Sequence, residues 1–314
     1  MIIATHSGKF HADDVFAVSV LDIVFPGCEL IRTRDPARLA QADFNVDVGG
    51  MWDPATGRFD HHQKGFAAAR LSGVVYASAG LAWKTHGAQC VAALAARDLR
   101  HALSDDEARQ IAYAIDADLV QYLDMSDTGA AKNAPGGYGL SAVISGFNIT
   151  WLEEQLAGSA AAAESLRLQR FRRAVEFMQE VLANQVKYRV GSLLALAQVR
   201  GARVLEDGRV LVLENAALPW THVVRNEMPK VLFVIAYSIA DDRYMLSTVP
   251  AAADSFAARA DLPAAWAGLQ GDALAAVTGV ADAVFCHNNL FVAAARSFEG
   301  ALKLARQALY HAIA

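Results

Sequence analysis

Four histidines and four aspartates gather in the first part of the chain, each beside a short apolar run. Thr5-His6-Ser7-Gly8-Lys9-Phe10-His11-Ala12-Asp13-Asp14 comes first, Asp47 follows, and Phe59-Asp60-His61-His62-Gln63 completes the set. Imidazole nitrogen and carboxylate oxygen together are a ligand set for divalent transition metals. Hydrolases that use two metals hold the ions about 3.5–4 Å apart and need a bridging carboxylate with mixed ligands on either side. His6, His11, Asp13, Asp47 and His61, with Asp127 from further along, would supply that number. The spacing His11-x-Asp13 puts two ligands on one side of an extended segment. Asp60-His61-His62 offers three adjacent groups, so that one ligates while another reaches a substrate.

Other acids compete for a place in the cluster. Asp124 lies three residues before Asp127, and Asp116 and Asp118 lie further upstream; Asp124 would otherwise serve behind the ligands or at a helix end. Asp14 is expected to cap the helix that follows it, because an acid suits a helix N-terminus. His86 and His101 sit in helical, polar-flanked settings and read as surface residues.

The elements that must hold these groups follow from the hydrophobic pattern. Residues 1–6 read as a buried strand, 13–25 as a helix stopped by Pro26-Gly27, 28–32 as a second strand, and 44–48 as a third that ends in Gly49-Gly50. That rhythm predicts an α/β domain with a largely parallel sheet flanked by helices. Such sheets bind ligands beyond the carboxyl ends of their strands, where His6, His11, Asp13 and Asp47 fall. Helices are expected at 74–99 and 104–122, a Gly/Pro loop at 131–139, and one or two long helices from 150 to 187. Strands are expected at 194–205, 209–213, 231–238 and 243–249, with helices again at 263–278 and 299–313. The change of style places a boundary after residue 187: a catalytic domain at 1–187 and a smaller α/β domain at 188–314.

Composition narrows the partners. Apolar residues make up 54% of the 314 residues and charged residues 19%, as in a globular protein with ample core. The apolar runs are too short to span a membrane, and the start has no basic segment leading into a long apolar stretch. Three scattered cysteines argue against a disulfide framework. Cytoplasmic residence is the expectation, and oligomeric state is left open, a homodimer included. With a net charge of −5 and a pI near 6.0, the chain is unlike a protein that coats nucleic acid through its whole surface. A nucleic-acid substrate would have to be held locally.

The motifs resemble a known family. Asp60-His61-His62, the upstream His-x-Asp and Val46-Asp47-Val48-Gly49 look like the DHH phosphoesterase superfamily. "THSGKFHADDVFA", "DVGG", "FDHHQ" and "LDMSDTG" are similar to its MYG-type branch, long labelled metal-dependent protein hydrolases and linked with 3′-to-5′ exonuclease activity on RNA. The likeness continues through "LPW", "SFAARADLPAAWAGL" and "FCHNNLFVAAARSFEGALKLA", nearly the whole chain. It implies a DHH-type domain carrying two divalent ions, Mn²⁺ or Mg²⁺, on His6, His11, Asp13, Asp47, His61 and Asp127, with Asp47 as bridge. His62 corresponds to a position that contacts substrate phosphate, with Asp60 beside it as the second catalytic residue. The second domain would clamp the remainder of the substrate.

The implied function is a metal-dependent phosphodiesterase, a 3′-to-5′ exonuclease on RNA or short oligonucleotides that uses metal-activated water to attack phosphorus. The alternatives are a hydrolase of a small phosphorylated molecule, such as pyrophosphate or a cyclic dinucleotide, and a metal-binding protein without turnover. Arg259 and Arg296 are candidates for phosphate contacts, since a guanidinium forks onto phosphate oxygens. His222 and His287 are further candidates for substrate binding, against a purely structural role. Lys9 and Lys64 flank the metal motifs and could also meet a phosphate. Phe291-Val292-Ala293-Ala294 replaces the Phe-Ile-Gly-Gly usual in the branch, and alanine restricts the close approach of backbone amides to an anion that glycine permits.

Overall fold

The computed structural model describes residues 1–130, 139–253 and 257–313. The Gly/Pro loop expected at 131–139 therefore lies, apart from Gly139, outside the described residues. The chain divides into two compact units, Met1–Val190 and Gly191–Ala314, each described by itself.

The first unit opens with β1 (Ile2–Thr5), whose apolar Ile2-Ile3-Ala4 suits a strand covered on both faces. Helix α1 (Ala12–Val24) is buried on nearly every side from Ala12 to Leu21, which explains its continuous apolar run. Next come β2 (Glu29–Arg32) and α2 (Pro36–Gln41), where Asp35 caps the helix by accepting the Ala37 amide at 3.0 Å and Pro36 sets the first turn. Then β3 (Phe44–Val46), β4 (Trp52–Asp53) and β5 (Arg58–Phe59) complete a sheet of order β2-β1-β3-β5-β4. Pairs β1–β2, β1–β3 and β3–β5 are parallel, and β4 is antiparallel to β5. This is the largely parallel sheet that the sequence pattern predicts.

Helices follow: α3 (Ser78–Leu99), α4 (Asp105–Ile115), a π turn (Asp116–Val120) running directly into α5 (Gln121–Asp127), α6 (Leu140–Ser145), α7 (Trp151–Leu156) and α8 (Ala160–Arg200). Ser104 and Glu107 form a reciprocal cap at the start of α4, which sets where that helix begins. The division between units falls within α8. No helix among the described residues is long and apolar enough to cross a membrane.

The second unit holds β6 (Arg203–Leu205), β7 (Val210–Leu213), α9 (Thr221–Glu227), β8 (Phe233–Ser238), β9 (Arg243–Thr248), α10 (Gly271–Thr278), β10 (Ala283–Cys286), β11 (Val292–Ala295) and α11 (Phe298–Ile313). Its sheet has the order β10-β11-β9-β8-β7-β6 and is antiparallel except for β7–β8. Alternation in β8 feeds two cores. Phe233 and Ile235 pack with Leu274, Leu304 and Ala308, while Val234 and Ala236 pack with Val223 and Val199.

Three expectations change here. Residues 194–200 continue α8 instead of forming a strand, because Ala195 and Val199 recur at helical spacing and are the buried pair. The helix expected over 263–278 shrinks to α10, preceded by a single turn at Ala264–Trp266. Strands β10 and β11 add to the expected pattern; their alanine-rich residues carry little strand preference, and tertiary pairing decides them.

Candidate metal centre

Three parallel strands end in register. Thr5 pairs with Val46 and Val46 with Phe59, and the residue after each is His6, Asp47 or Asp60. The sheet therefore delivers these side chains, with His61 and His62, at one carboxyl edge. Asp47 makes the turn off β3 with φ 54°, a left-handed conformation that aspartate tolerates better than most residues. The start of α1 adds His11 and Asp13, and the last residue of α5 adds Asp127.

The structure brings all six expected ligands together. Single donor atoms of His6, His11 and Asp47 lie within 4.8 Å of one another, as do those of Asp47, His61 and His62, and those of His11, Asp13 and Asp127. Asp47 belongs to two of these groups. His6 Nε2 is 3.3 Å from Asp47 Oδ2, and His61 Nε2 is 3.5 Å from Asp47 Oδ1 and 3.2 Å from Asp127 Oδ2. His6 Nδ1 lies 3.1 Å from the Ser7 carbonyl, which suits Nδ1–H donation and turns Nε2 towards the carboxylates. His62 Nδ1 sits 2.8 Å from Asp60 Oδ1 and 3.3 Å from Asp47 Oδ1, while 61% of its side chain remains exposed.

Electrostatics test whether a cation fits. Both carboxylate oxygens of Asp13 are buried and have no hydrogen-bond partner. Burial, then the nearby charges of Asp47 and Asp127, push Asp13 well above the usual carboxylate range. Burial opposes protonation of His61, yet Asp127 and Asp47 draw it up to about 10. Burial would raise Asp47, but hydrogen bonds from His6 and His61 hold it far below its ordinary value. Buried acids crowded beyond the positive charge the side chains supply are what a divalent cation neutralises, so the donor set and its unpartnered oxygens fit one.

Asp14 takes the place expected of it. Its Oδ1 accepts the His11 amide at 2.8 Å, capping α1, and its Oδ2 lies 3.4 Å from His6 Nε2. The choice between Asp124 and Asp127 is separated by geometry. Asp124 is turned away and fully buried, accepting from Arg70 Nη1 at 2.6 Å and from the Gly80 amide at 2.9 Å. Ser78, which the motif reading passed over, donates its hydroxyl to Asp47 Oδ1 at 3.1 Å. His86 is no plain surface residue: its ring lies among Phe25, Phe44 and Phe59 at centroid distances of 5.4, 6.2 and 5.7 Å. Lys9 and Lys64, which flank the motifs, are both exposed.

The remaining candidates lie in the second unit. Arg259 requires a correction. Its Nη1 donates to the Met228 and Val231 carbonyls at 2.8 Å each, and its Nη2 to Arg225 at 2.7 Å and Val224 at 3.4 Å. These four carbonyls occupy the guanidinium, which clasps its own unit in place of a phosphate. His222 is exposed on α9, its Nε2 3.1 Å from Asn226 Nδ2. His287 accepts the Asn289 amide on Nδ1 at 3.0 Å and lies against Phe291 at 4.4 Å. Arg296 is exposed just after β11. Ala293 and Ala294 are fully buried within β11, paired to β9 on one side and β10 on the other.

The family model MYG1_exonuc, described as Uncharacterised protein family (UPF0160), matches residues 2–309. The chain belongs to this family. It is 30% identical over 333 residues to the human MYG1 exonuclease, covering 98% of this chain and 85% of that protein. A Caenorhabditis elegans MYG1 protein is 28% identical over 337 residues, covering 98% and 95%. Among solved structures, RecJ in complex with Mn2+ from Thermus thermophilus aligns at 14% identity and TM-score 0.28, over 98% of this chain and 52% of RecJ. At that score the superposition transfers neither fold nor site. Relatives in this family carry the name exonuclease, which supports reading this chain as a hydrolase.

Proposed function

We propose that this chain is a metal-dependent phosphodiesterase, a 3′-to-5′ exonuclease acting on RNA or short oligonucleotides. The observation that carries the reading is the sharing of Asp47 between two His/Asp groups whose donor atoms lie within 4.8 Å. A shared carboxylate between mixed ligand sets suits a pair of ions. The exonuclease name of the human relative supports a polynucleotide substrate.

In this reading His6, His11, Asp13, Asp47, His61 and Asp127 hold two Mn²⁺ or Mg²⁺ ions. Such ions, when bound, lower the pKa of water and offset charge on phosphoryl oxygens. The chain's own residues orient the substrate. Asp60 takes the Nδ1–H of His62, leaving Nε2 as the ring atom that meets a phosphoryl oxygen, a donor there when the ring is doubly protonated. Arg296, His287 and His222 are the second unit's candidates for holding the remainder of the strand.

Two observations favour a second reading, hydrolysis of a small phosphorylated molecule. The net charge is −5, and the amides at Ala293 and Ala294 belong to a strand paired on both sides, not to an open anion cradle. A short oligoribonucleotide and pyrophosphate, each offered with Mn²⁺, separate the two. Stepwise release of mononucleotides from the 3′ end, lost in His61→Ala and Asp47→Ala while circular dichroism is unchanged, is the expected result. Full activity in either variant, or turnover of pyrophosphate alone, would sink the proposal.

A further inference from the structure

Behind the ligands lies a buried charged network that the motifs do not announce. Arg70 donates Nε to Asp116 Oδ2 at 2.7 Å and Nη2 to Asp116 Oδ1 at 2.6 Å, a two-pronged fork, while its Nη1 reaches Asp124 Oδ2 at 2.6 Å. The side chains of Arg70, Asp124 and Asp116 are 7%, 0% and 22% exposed. The Tyr76 ring lies 4.3 Å from the guanidinium carbon. Asp124 has one oxygen on Arg70 and the other on the Gly80 amide, in the first turn of α3. Two residues before Gly80, Ser78 holds Asp47. Three residues after Asp124, on the same helix, comes Asp127.

The network thus ties α5, which carries Asp127, to α3, whose Ser78 holds Asp47. Its ends meet at His61 Nε2, 3.5 Å from Asp47 and 3.2 Å from Asp127. The Asp116 end grips the π turn between α4 and α5. One inserted residue turns everything after it by about 100° around the helix axis, so this turn decides which way Asp127 faces. A buried ion pair adds little to stability compared with apolar packing, but a guanidinium fork fixes orientation. Gly80 is part of the fit, since a Cβ there would overlap Asp124 Oδ2 and come within 2.6 Å of Tyr76 Cδ1 and 2.8 Å of Arg70 Nη2.

We propose that Arg70 is a positioning residue that, by clamping Asp116 and Asp124, sets the spacing of Asp47 and Asp127 around His61 and so the affinity for the metal. The proposal rests on the metal reading above. The test is calorimetric titration with Mn²⁺, without substrate, on Arg70→Lys, Asp127→Ala and the double variant, with circular dichroism as the check on folding. Lysine keeps the charge but loses the fork. Arg70→Lys should bind Mn²⁺ about 10–100-fold more weakly, and adding it to Asp127→Ala should cause little further loss, because without Asp127 there is no Asp47–Asp127 spacing left to set. Wild-type affinity in folded Arg70→Lys overturns the proposal, and so do losses that multiply in the double variant. Should Arg70→Lys fail to fold, Asp116→Asn releases the partly exposed end alone; a several-fold loss of Mn²⁺ affinity supports the clamp, and unchanged affinity rejects it. An Asp127→Ala protein that binds Mn²⁺ like the wild type overturns the metal reading itself. That outcome is distinct from a failure of the clamp, in which Asp127→Ala loses the metal and Arg70→Lys does not.

Discussion

Asp60 Oδ1 lies 2.8 Å from His62 Nδ1, and Asp60 Oδ2 accepts the Gly50 amide at 2.6 Å. The carboxylate is buried while the histidine is largely exposed, so a fixed group aims a reachable one. Asp60→Asn must present an amide NH₂ either to the Gly50 N–H or to the His62 N–H, and the aim is lost. The rate at saturating Mn²⁺ should fall about 10–100-fold, and in His62→Ala about 10²–10⁴-fold. Steady-state hydrolysis of a labelled oligoribonucleotide measures both. An unaffected Asp60→Asn rate would remove Asp60 from the reaction.

Ser78 reaches the cluster through its hydroxyl on Asp47 Oδ1. Ser78→Ala should cost about 1 kcal/mol of stability and lower Mn²⁺ affinity about tenfold, because a donor that orients a ligand is gone. Urea unfolding and Mn²⁺ titration read the two effects separately. Equal metal affinity in variant and wild type would show that Asp47 needs no such support.

Gly80 lacks room for a methyl group between Asp124, Tyr76 and Arg70. The neighbours are buried or mutually bonded, so none can swing aside freely. Gly80→Ala should destabilise the protein by about 1–3 kcal/mol despite alanine's better helix preference. A urea midpoint at or above that of the wild type would mean that the crowding is relieved cheaply.

Burial pushes the Asp124 carboxyl up to about 7 in spite of Arg70. A folded-state value above the unfolded one favours folding while the proton is held. That contribution is complete below about pH 3.9 and is lost as pH rises through about 7. The gap is worth up to about 4 kcal/mol. Asp124→Asn has no proton to lose, so its stability should gain on the wild type between pH 5 and pH 8. Urea unfolding of both proteins at the two pH values tests the sign; a gap independent of pH would mean that Asp124 is ionised throughout.

The cluster was legible where sequence and strand geometry coincide. The runs before His6 and Asp47 are largely apolar and end abruptly, and parallel strands place such ends side by side. The α1 cap at Asp14 was equally readable, being a contact over three residues. What stayed hidden depends on distant partners. Arg70 and Asp124 are 54 residues apart and Gly80 and Asp124 are 44, with no spacing rule to join them. His86 reads as polar surface until three phenylalanines from separate elements close around it. The start of the second unit misled for another reason: residues 194–200 are apolar enough for a strand, and only the pairing of Ala195 with Val199 in the interior reveals the helix.

Arg259 shows why residue type alone assigns phosphate contacts poorly. An arginine near a family motif suggests an anion, yet this guanidinium donates to the carbonyls of Met228, Val231, Val224 and Arg225, around the end of α9. Those carbonyls are acceptors at a helix end, which a cation satisfies well. Removing the side chain leaves them without that donor, at about 1–3 kcal/mol for each one kept from water. Arg259→Ala should therefore unfold at lower urea, while Mn²⁺ affinity stays within about twofold of wild type because Arg259 is not among the grouped ligands. Arg259→Lys should recover only part of the stability, since an ammonium has three donors and no planar fork. The opposite pattern, unchanged stability with a raised KM for the oligoribonucleotide, would return Arg259 to the substrate.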